Sequence, residues 1–196
     1  MHLYDRTNMR KIIAICVFLA AGFYIQAQTL SWDIRFLKGE EMESLPISQI
    51  IRMETGEIFW ICIESTSDCY CYVVSYDSQR QISVVYDELL EAGDEIRLGY
   101  FRIANPPGTE TLYVLMSLQR QTLLETLIQN LNANPDSRQH ADNLRREVFR
   151  LQNDASSLGD PASSFIASGG TSRGNEGYVT RFSEKDLYVR TIVIRH

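Results

Sequence analysis

The stretch EIFWICIESTSDCYCYVVSY, residues 57–76, carries the strongest strand signal in this chain of 196 residues. Residues 57–63 are apolar almost throughout and rich in β-branched and aromatic side chains, which is typical of a strand buried on both faces. Residues 64–68 are polar and favour a turn, and residues 69–76 predict a second strand. Together they predict a β-hairpin in which Glu64 lies opposite Cys69 and Cys62 lies opposite Cys71.

Further strands are predicted on the C-terminal side of this stretch. They are QISVVYD (81–87), IRLGYFRI (96–103), TLYVLMS (111–117) and DLYVRTIVIRH (186–196). Asp77 favours a turn before the first of them, because an aspartate side chain can accept hydrogen bonds from the backbone that follows it. Short polar connections between consecutive strands favour an antiparallel meander.

Two helices are predicted before the final strand. Apolar residues first recur at helical spacing at Leu123, Leu124, Leu127, Ile128 and Leu131. This helix ends before Pro135, and a second helix carries the stripe Ala141, Leu144, Val148 and Leu151. Residues 118–153 therefore predict a helical hairpin, and residues 154–177 a flexible Ser/Gly-rich loop. The expected fold class is α+β: an antiparallel β-sheet or sandwich with a helical hairpin inserted before the final strand.

The N-terminal segment has the layout of a secretory signal peptide. Arg10 and Lys11 precede the apolar run IIAICVFLAAGFYI (12–25), and Ala27 offers a small residue for cleavage. The run is short for a transmembrane helix, which needs about 20 residues, although an uncleaved anchor stays an alternative. We expect residues 1–27 to be a signal peptide and residues 28–196 a single α+β domain, with no transmembrane segment after cleavage. The expected location is the periplasm, with association to the outer membrane or secretion as alternatives.

The charge balance argues against a nucleic-acid partner. The chain has 19 basic and 25 acidic residues, a formal net charge of −6, and no basic run that offsets it. An acidic surface repels phosphate backbones. A protein partner in the cell envelope, or a second copy of the chain, fits this composition better.

Three cysteines in the opening stretch, Cys62, Cys69 and Cys71, are the first candidates for chemistry. If residues 57–76 form a hairpin, their side chains share one face. They then form a cluster of packed thiols, a Cys62–Cys71 or Cys62–Cys69 disulfide, or part of a metal site. Packed thiols are the simplest interpretation, since cysteine is commonly buried as a small apolar residue, and no metal or other cofactor is predicted.

A second candidate is GTSRG (170–174), which matches the G-x-S-x-G pattern of a hydrolase nucleophile. Asp186 and His196 follow Ser172 in the order that such a catalytic triad uses. The motif lacks the strand before it and the helix after it that this pattern requires. We therefore predict no catalytic residues and a non-enzymatic protein.

Tyrosines on the predicted strands are a third candidate. They either pack in the core and across strands, or form an exposed row that contacts a protein or a glycan. The strand tyrosines are Tyr70, Tyr72, Tyr76, Tyr86, Tyr100 and Tyr113, and the predicted contact surface consists of the first four.

Four short motifs in the strand region resemble a bacterial family, domain of unknown function 4384. They are YCYVVSYD (70–77), EAGDE (91–95), NPPGTE (105–110) and LYVLMS (112–117). The chain departs from the family pattern at DSQRQ (77–81), which lacks the usual turn glycine, and at VVYD (84–87). The resemblance implies a sensing or interaction unit and brings no catalytic residues. The leading hypothesis is an exported interaction module of the bacterial envelope. The alternatives are a small-ligand or glycan-binding domain and a structural subunit that self-associates through the helix stripe Leu144, Val148 and Leu151.

Overall fold

The structure is a computed structural model that describes residues 30–156, 164–167, 178–184 and 187–196. For residues 164–167 and 178–184 it describes the backbone. The predicted signal peptide and most of the predicted Ser/Gly-rich loop lie outside the described residues. Of that predicted loop the structure describes residues 154–156, which are helical and not part of a loop, and residues 164–167, which form a strand.

The described residues form eleven strands and two helices. In chain order these are β1 (Leu30–Lys38), β2 (Glu43–Leu45), β3 (Ile51–Arg52), β4 (Ile58–Ser65), β5 (Cys69–Tyr76), β6 (Ile82–Leu90), β7 (Glu95–Arg102), β8 (Thr109–Ser117), α1 (Thr122–Ala133), α2 (Arg138–Ser156), β9 (Ser164–Ala167), β10 (Tyr178–Glu184) and β11 (Leu187–Arg195).

The strands form two sheets. Sheet A has the order β7-β4-β1-β10-β9, with β2 beside β1, and all its pairs are antiparallel. Sheet B has the order β3-β11-β8-β5-β6 and is antiparallel except for the parallel pair β3–β11. The α+β fold with a helical hairpin before the final strand is therefore confirmed, with β9 and β10 between the hairpin and β11.

The architecture has three layers: sheet A, sheet B and the helical hairpin. One buried cluster fills the space between the sheets, and a second fills the space between sheet B and the helices. Both faces of sheet B are therefore covered. Sheet A buries one face in the sandwich and turns the other away from it, and no described element packs over that outer face.

Strand β5 shows how the sequence specifies a central strand. Its side chains alternate, so Cys69, Cys71 and Val73 point into the sandwich core, whereas Tyr72 and Val74 point towards the helices. Alternation between two apolar environments produces a strand that is apolar throughout. The helices provide the matching stripe, with Leu124, Ile128, Leu131, Leu144, Val148 and Leu151 buried against this face.

The predicted hairpin of residues 57–76 is wrong. β4 pairs with β1 and β7 in sheet A, whereas β5 pairs with β6 and β8 in sheet B. The turn crosses between the sheets, where Thr66 donates to Ser31 O from both its backbone N and its Oγ1, each at 2.9 Å. The next connection is a hairpin as predicted, and Asp77 Oδ1 accepts hydrogen bonds from Gln79 N at 2.9 Å and Gln81 N at 2.7 Å.

Candidate functional site

The outer face of sheet A carries a cluster of two aromatic rings and a guanidinium, which we call the aromatic patch: Trp60, Tyr100 and Arg102. The Trp60 and Tyr100 ring centroids are 5.7 Å apart and the rings meet edge to face at 78°. The Arg102 guanidinium carbon lies 5.8 Å from the Tyr100 ring centroid, and Arg102 Nη2 donates to Tyr100 OH at 3.2 Å. Tyr100 is 56% exposed, so the patch presents a large aromatic surface to solvent.

A β-bulge between β4 and β7 creates this patch. Phe59 pairs with Phe101 and Trp60 pairs with Gly99, so Tyr100 is the extra residue of the bulge. Phe59 and Phe101 point into the core, and the bulge brings the ring of Tyr100 against Trp60 on the opposite face. The Trp60 indole covers Gly99, where an added Cβ would lie 2.6 Å from Trp60 Cδ1. Glycine is therefore required for the Trp60 ring to lie in this position.

A charged row borders the aromatic patch on the same face. In this row Arg35 of β1, Cys62 of β4 and Arg97 of β7 are cross-strand neighbours. Arg35 forms an ion pair with Glu95. Within this row, the Cys62 side chain is buried and does not belong to either core cluster. The face combines an exposed aromatic centre with a charged margin.

The three candidate cysteines do not form the predicted cluster. Cys62 lies on the outer face of sheet A, whereas Cys69 and Cys71 point into the sandwich core from sheet B. All three are free and buried. Burial raises the pKa of the Cys69 and Cys71 thiols, which keeps them protonated and unreactive. Their arrangement fits packed thiols and not a Cys62–Cys71 or Cys62–Cys69 disulfide.

The candidate tyrosines do not form one surface either. Tyr72 is fully buried; its OH donates to Glu125 Oε1 at 2.8 Å and accepts from Gln121 N at 3.1 Å. Tyr70 and Tyr76 lie on the same helix-facing side, whereas Tyr86 packs against the sandwich core. The prediction that Tyr70, Tyr72, Tyr76 and Tyr86 form one exposed row is therefore wrong. Side chains alternate between the two faces of the paired strands, and the helices cover one of these faces.

The buried Tyr72 hydroxyl fixes the start of helix α1. Arg120 forms a forked pair with Glu125, with its shortest bond at 2.7 Å, and lies 5.8 Å over the Tyr70 ring centroid. The hydrogen bond from Arg120 is the main cause of the lowered pKa of Glu125, whereas burial is the main cause of the raised pKa of Tyr72. This network holds α1 on sheet B, so we assign it a structural role.

Of the Ser172, Asp186 and His196 arrangement that the sequence analysis set aside, only His196 lies within the described residues. The His196 side chain is buried, and its Nε2 lies 3.3 Å from Glu110 Oε1. Among the described residues, no group of three or more His, Cys, Asp or Glu could hold a metal ion. No helix in the described ranges is long and apolar enough to cross a membrane.

Comparison with known proteins gives no match to this chain among protein-family models, curated proteins or solved structures. The resemblance of the strand motifs to domain of unknown function 4384 therefore stays a prediction. Sequence reasoning included Tyr100 among the strand tyrosines but missed Trp60 and Arg102 as site residues. The available signal was Gly99 inside a strand pattern, since an isolated strand glycine often marks a bulge or a close approach.

Proposed function

We propose that this protein is an exported, non-enzymatic interaction module of the bacterial cell envelope that binds another envelope protein through the aromatic patch. The observation that carries the proposal is the exposed contact of Trp60, Tyr100 and Arg102 on the outer face of sheet A. Tryptophan, tyrosine and arginine are the residue types most enriched among those that dominate binding energies at protein interfaces.

The position of the patch supports a protein partner. It lies on a rigid strand pair, and the Trp60 ring is held against Gly99. A ring that is ordered before binding loses little conformational freedom when a partner covers it. The charged margin formed by Arg35, Glu95 and Arg97 resembles the polar rim that surrounds the apolar centre of such interfaces.

Two features support export. Residues 1–27 have the basic segment, apolar run and small residue of a signal peptide. The first described strand begins at Leu30, which is buried, so cleavage near residues 27–28 leaves β1 intact. We propose the periplasm as the location, with the outer membrane or the medium as alternatives that fractionation distinguishes.

Site-specific crosslinking in cells tests the proposal. A photoreactive phenylalanine is placed at position 100 in the aromatic patch or, as a control, at position 123 on helix α1. Tyr100 and Leu123 are both 56% exposed, so a difference between them reflects the surface and not accessibility. We expect one dominant envelope protein to be attached from position 100, and reciprocal crosslinks from that protein back to β4 or β7.

Two outcomes of this experiment contradict the proposal. Equal products from positions 100 and 123 show that the patch has no special role. If the attached protein is a second copy of the chain, the patch mediates self-association and not the binding of a different protein. Light scattering of the purified protein then measures this self-association directly. Tyr100→Ser removes the exposed ring without touching the core and is expected to abolish the reciprocal crosslinks from a photoreactive residue placed in the partner.

A further inference from the structure

An open cleft lies between the edge strands β6 and β7, on the side of the sandwich where neither sheet has a further described strand. Its volume is about 640 Å³, which lies in the range of about 300–1,000 Å³ for sites that bind small molecules. Six apolar side chains form its floor: Phe59, Val85, Leu98, Phe101, Ile103 and Leu112.

Two carboxylates and two guanidinium groups line the cleft, and they differ in how far neighbouring groups already engage them. Asp77 and Glu110 line it, but Asp77 Oδ1 already accepts two backbone hydrogen bonds, and Glu110 faces His196. Arg97 and Arg102 line the opposite side from β7. Arg102 donates to the neutral Tyr100 hydroxyl, and neither arginine has a carboxylate partner within the described part of the chain. All four groups keep their charges, but the guanidinium groups of Arg97 and Arg102 are the charged donors in the lining that no described carboxylate engages.

The shape of β7 argues against an added peptide strand as the occupant. A peptide that extends a sheet needs an uninterrupted row of backbone groups along the edge. The bulge at Gly99 and Tyr100 interrupts this row in the middle of β7, and bulges of this kind blunt edge strands. A small molecule needs no such row, only the apolar floor and the two guanidinium groups.

We propose that this cleft binds a small amphiphilic carboxylate, with its apolar part on the floor and its carboxylate held by Arg97 and Arg102. Guanidinium groups suit this task because their planar donors match carboxylate geometry. The inference goes beyond the proposed protein contact, because the floor of the cleft faces the sandwich core and not the outer face of sheet A. Arg97 and Arg102 also belong to the outer face that carries the aromatic patch, so the residue that separates the two sites is Ser83 of β6, which lines the cleft and lies outside the patch.

Isothermal titration with decanoate tests this site. We expect saturable 1:1 binding of decanoate, and much weaker binding of acetate, which lacks the apolar part, and of decanol, which lacks the charge. Arg97→Gln should weaken decanoate binding about fivefold, as expected for one partly solvent-exposed charge pair. The control Arg146→Gln removes an exposed arginine that bonds Asp142 and Asn143 on its own helix, and it should leave the affinity unchanged.

A second variant locates the ligand. Ser83 lines the cleft and is exposed, so Ser83→Phe fills the mouth without changing the core and should abolish decanoate binding in a protein whose circular dichroism is unchanged. Three results overturn the proposal: no saturable decanoate binding, equal binding of decanol, or full affinity in folded Ser83→Phe. Ser83→Phe leaves Trp60, Tyr100 and Arg102 in place and should keep the crosslinks from position 100, so failure of the cleft site and failure of the protein contact are distinguishable.

Discussion

At the scale of single residues, Gly99 is the position on which the aromatic patch depends. Its φ of +146° is unfavourable for a residue with a side chain, and an added Cβ would lie 2.6 Å from Trp60 Cδ1 and 2.9 Å from Trp60 Cγ. A shift of the indole to relieve this contact would also separate the Trp60 and Tyr100 rings. Stability and binding are therefore coupled at this residue.

We predict that Gly99→Ala lowers the free energy of unfolding by about 3 kcal/mol, because backbone strain of about 1–3 kcal/mol is added to a steric clash. Gly93→Ala is the matched control: Gly93 also has a positive φ, of +88°, but nothing lies within 4 Å of an added Cβ. Its cost should be backbone strain alone, about 1 kcal/mol. Urea denaturation of both variants measures the difference, and equal losses would contradict the clash with Trp60.

The sequence predicts which residues form strands, but not which face of the strand meets which neighbour, and this difference has a physical reason. The alternation of Cys69, Tyr72 and their neighbours identifies a strand, but it does not say which face meets the helices. Tyr72 and Tyr86 look equivalent in the sequence, yet one lies under α1 and the other packs on the sandwich core. Tyr100 joins Trp60 only because of a bulge in the pairing of two strands, which a single strand sequence does not encode.

At the scale of secondary-structure elements, helix α1 is docked on sheet B by charge as well as by packing. Glu125 accepts from Tyr72 OH and from Arg120, and its pKa is lowered from the ordinary value of 4.5. A carboxyl whose pKa is lower in the folded state contributes stability above its unfolded pKa. That contribution is lost as the pH falls through the folded pKa.

We therefore predict that Glu125→Gln destabilises the protein at pH 7 by about 1 kcal/mol, since a hydrogen-bonded charge pair at a partly exposed site is replaced by a neutral group. The difference between wild type and variant should shrink as the pH falls below 4.5 and the wild-type carboxyl becomes protonated. Urea midpoints measured from pH 7 to pH 3 give this profile. A difference that stays constant over the whole range would show that charge is not involved.

The sequence predicted the second helix with its stripe of Leu144, Val148 and Leu151. One alternative hypothesis was that this stripe mediates self-association. The structure buries all three residues against sheet B, so they are not free to meet a second copy. The hypothesis that this stripe mediates a dimer is therefore wrong. The spacing of apolar residues identified the buried face correctly but did not identify what covers it.

We predict that Leu144→Glu lowers the free energy of unfolding by at least about 3 kcal/mol, because it places a charge in a fully buried apolar site. Ala155 and Asn153 lie on the same helix outside this cluster, so Asn153→Glu is the control and should change stability by less than about 0.5 kcal/mol. Thermal unfolding together with light scattering measures both effects. A stable Leu144→Glu monomer formed from a wild-type dimer would restore the self-association hypothesis.

At the scale of the whole molecule, the sequence predicted the fold class and left one sheet or a sandwich open, but it did not predict that β4 and β5 lie in different sheets. The turn at residues 64–68 has the same composition whether the next strand returns beside β4 or crosses to another sheet. β4 and β5 both have apolar residues on both faces, which favours a strand with both faces shielded but does not say which sheet it joins. Strand β1, which alternates buried Leu30, Trp32, Ile34 and Phe36 with polar residues, was missed, although it provides one of the neighbours of β4.

The strand order also determines when the molecule can fold during synthesis. β10 lies between β1 and β9, and β11 lies between β3 and β8, so both sheets need strands from residues 178–195 in internal positions. A nascent chain that ends before these residues lacks a neighbour for β1 in one sheet and for β8 in the other. We expect such a chain to stay unfolded on the ribosome, which is the state in which a polypeptide can be threaded through an export channel.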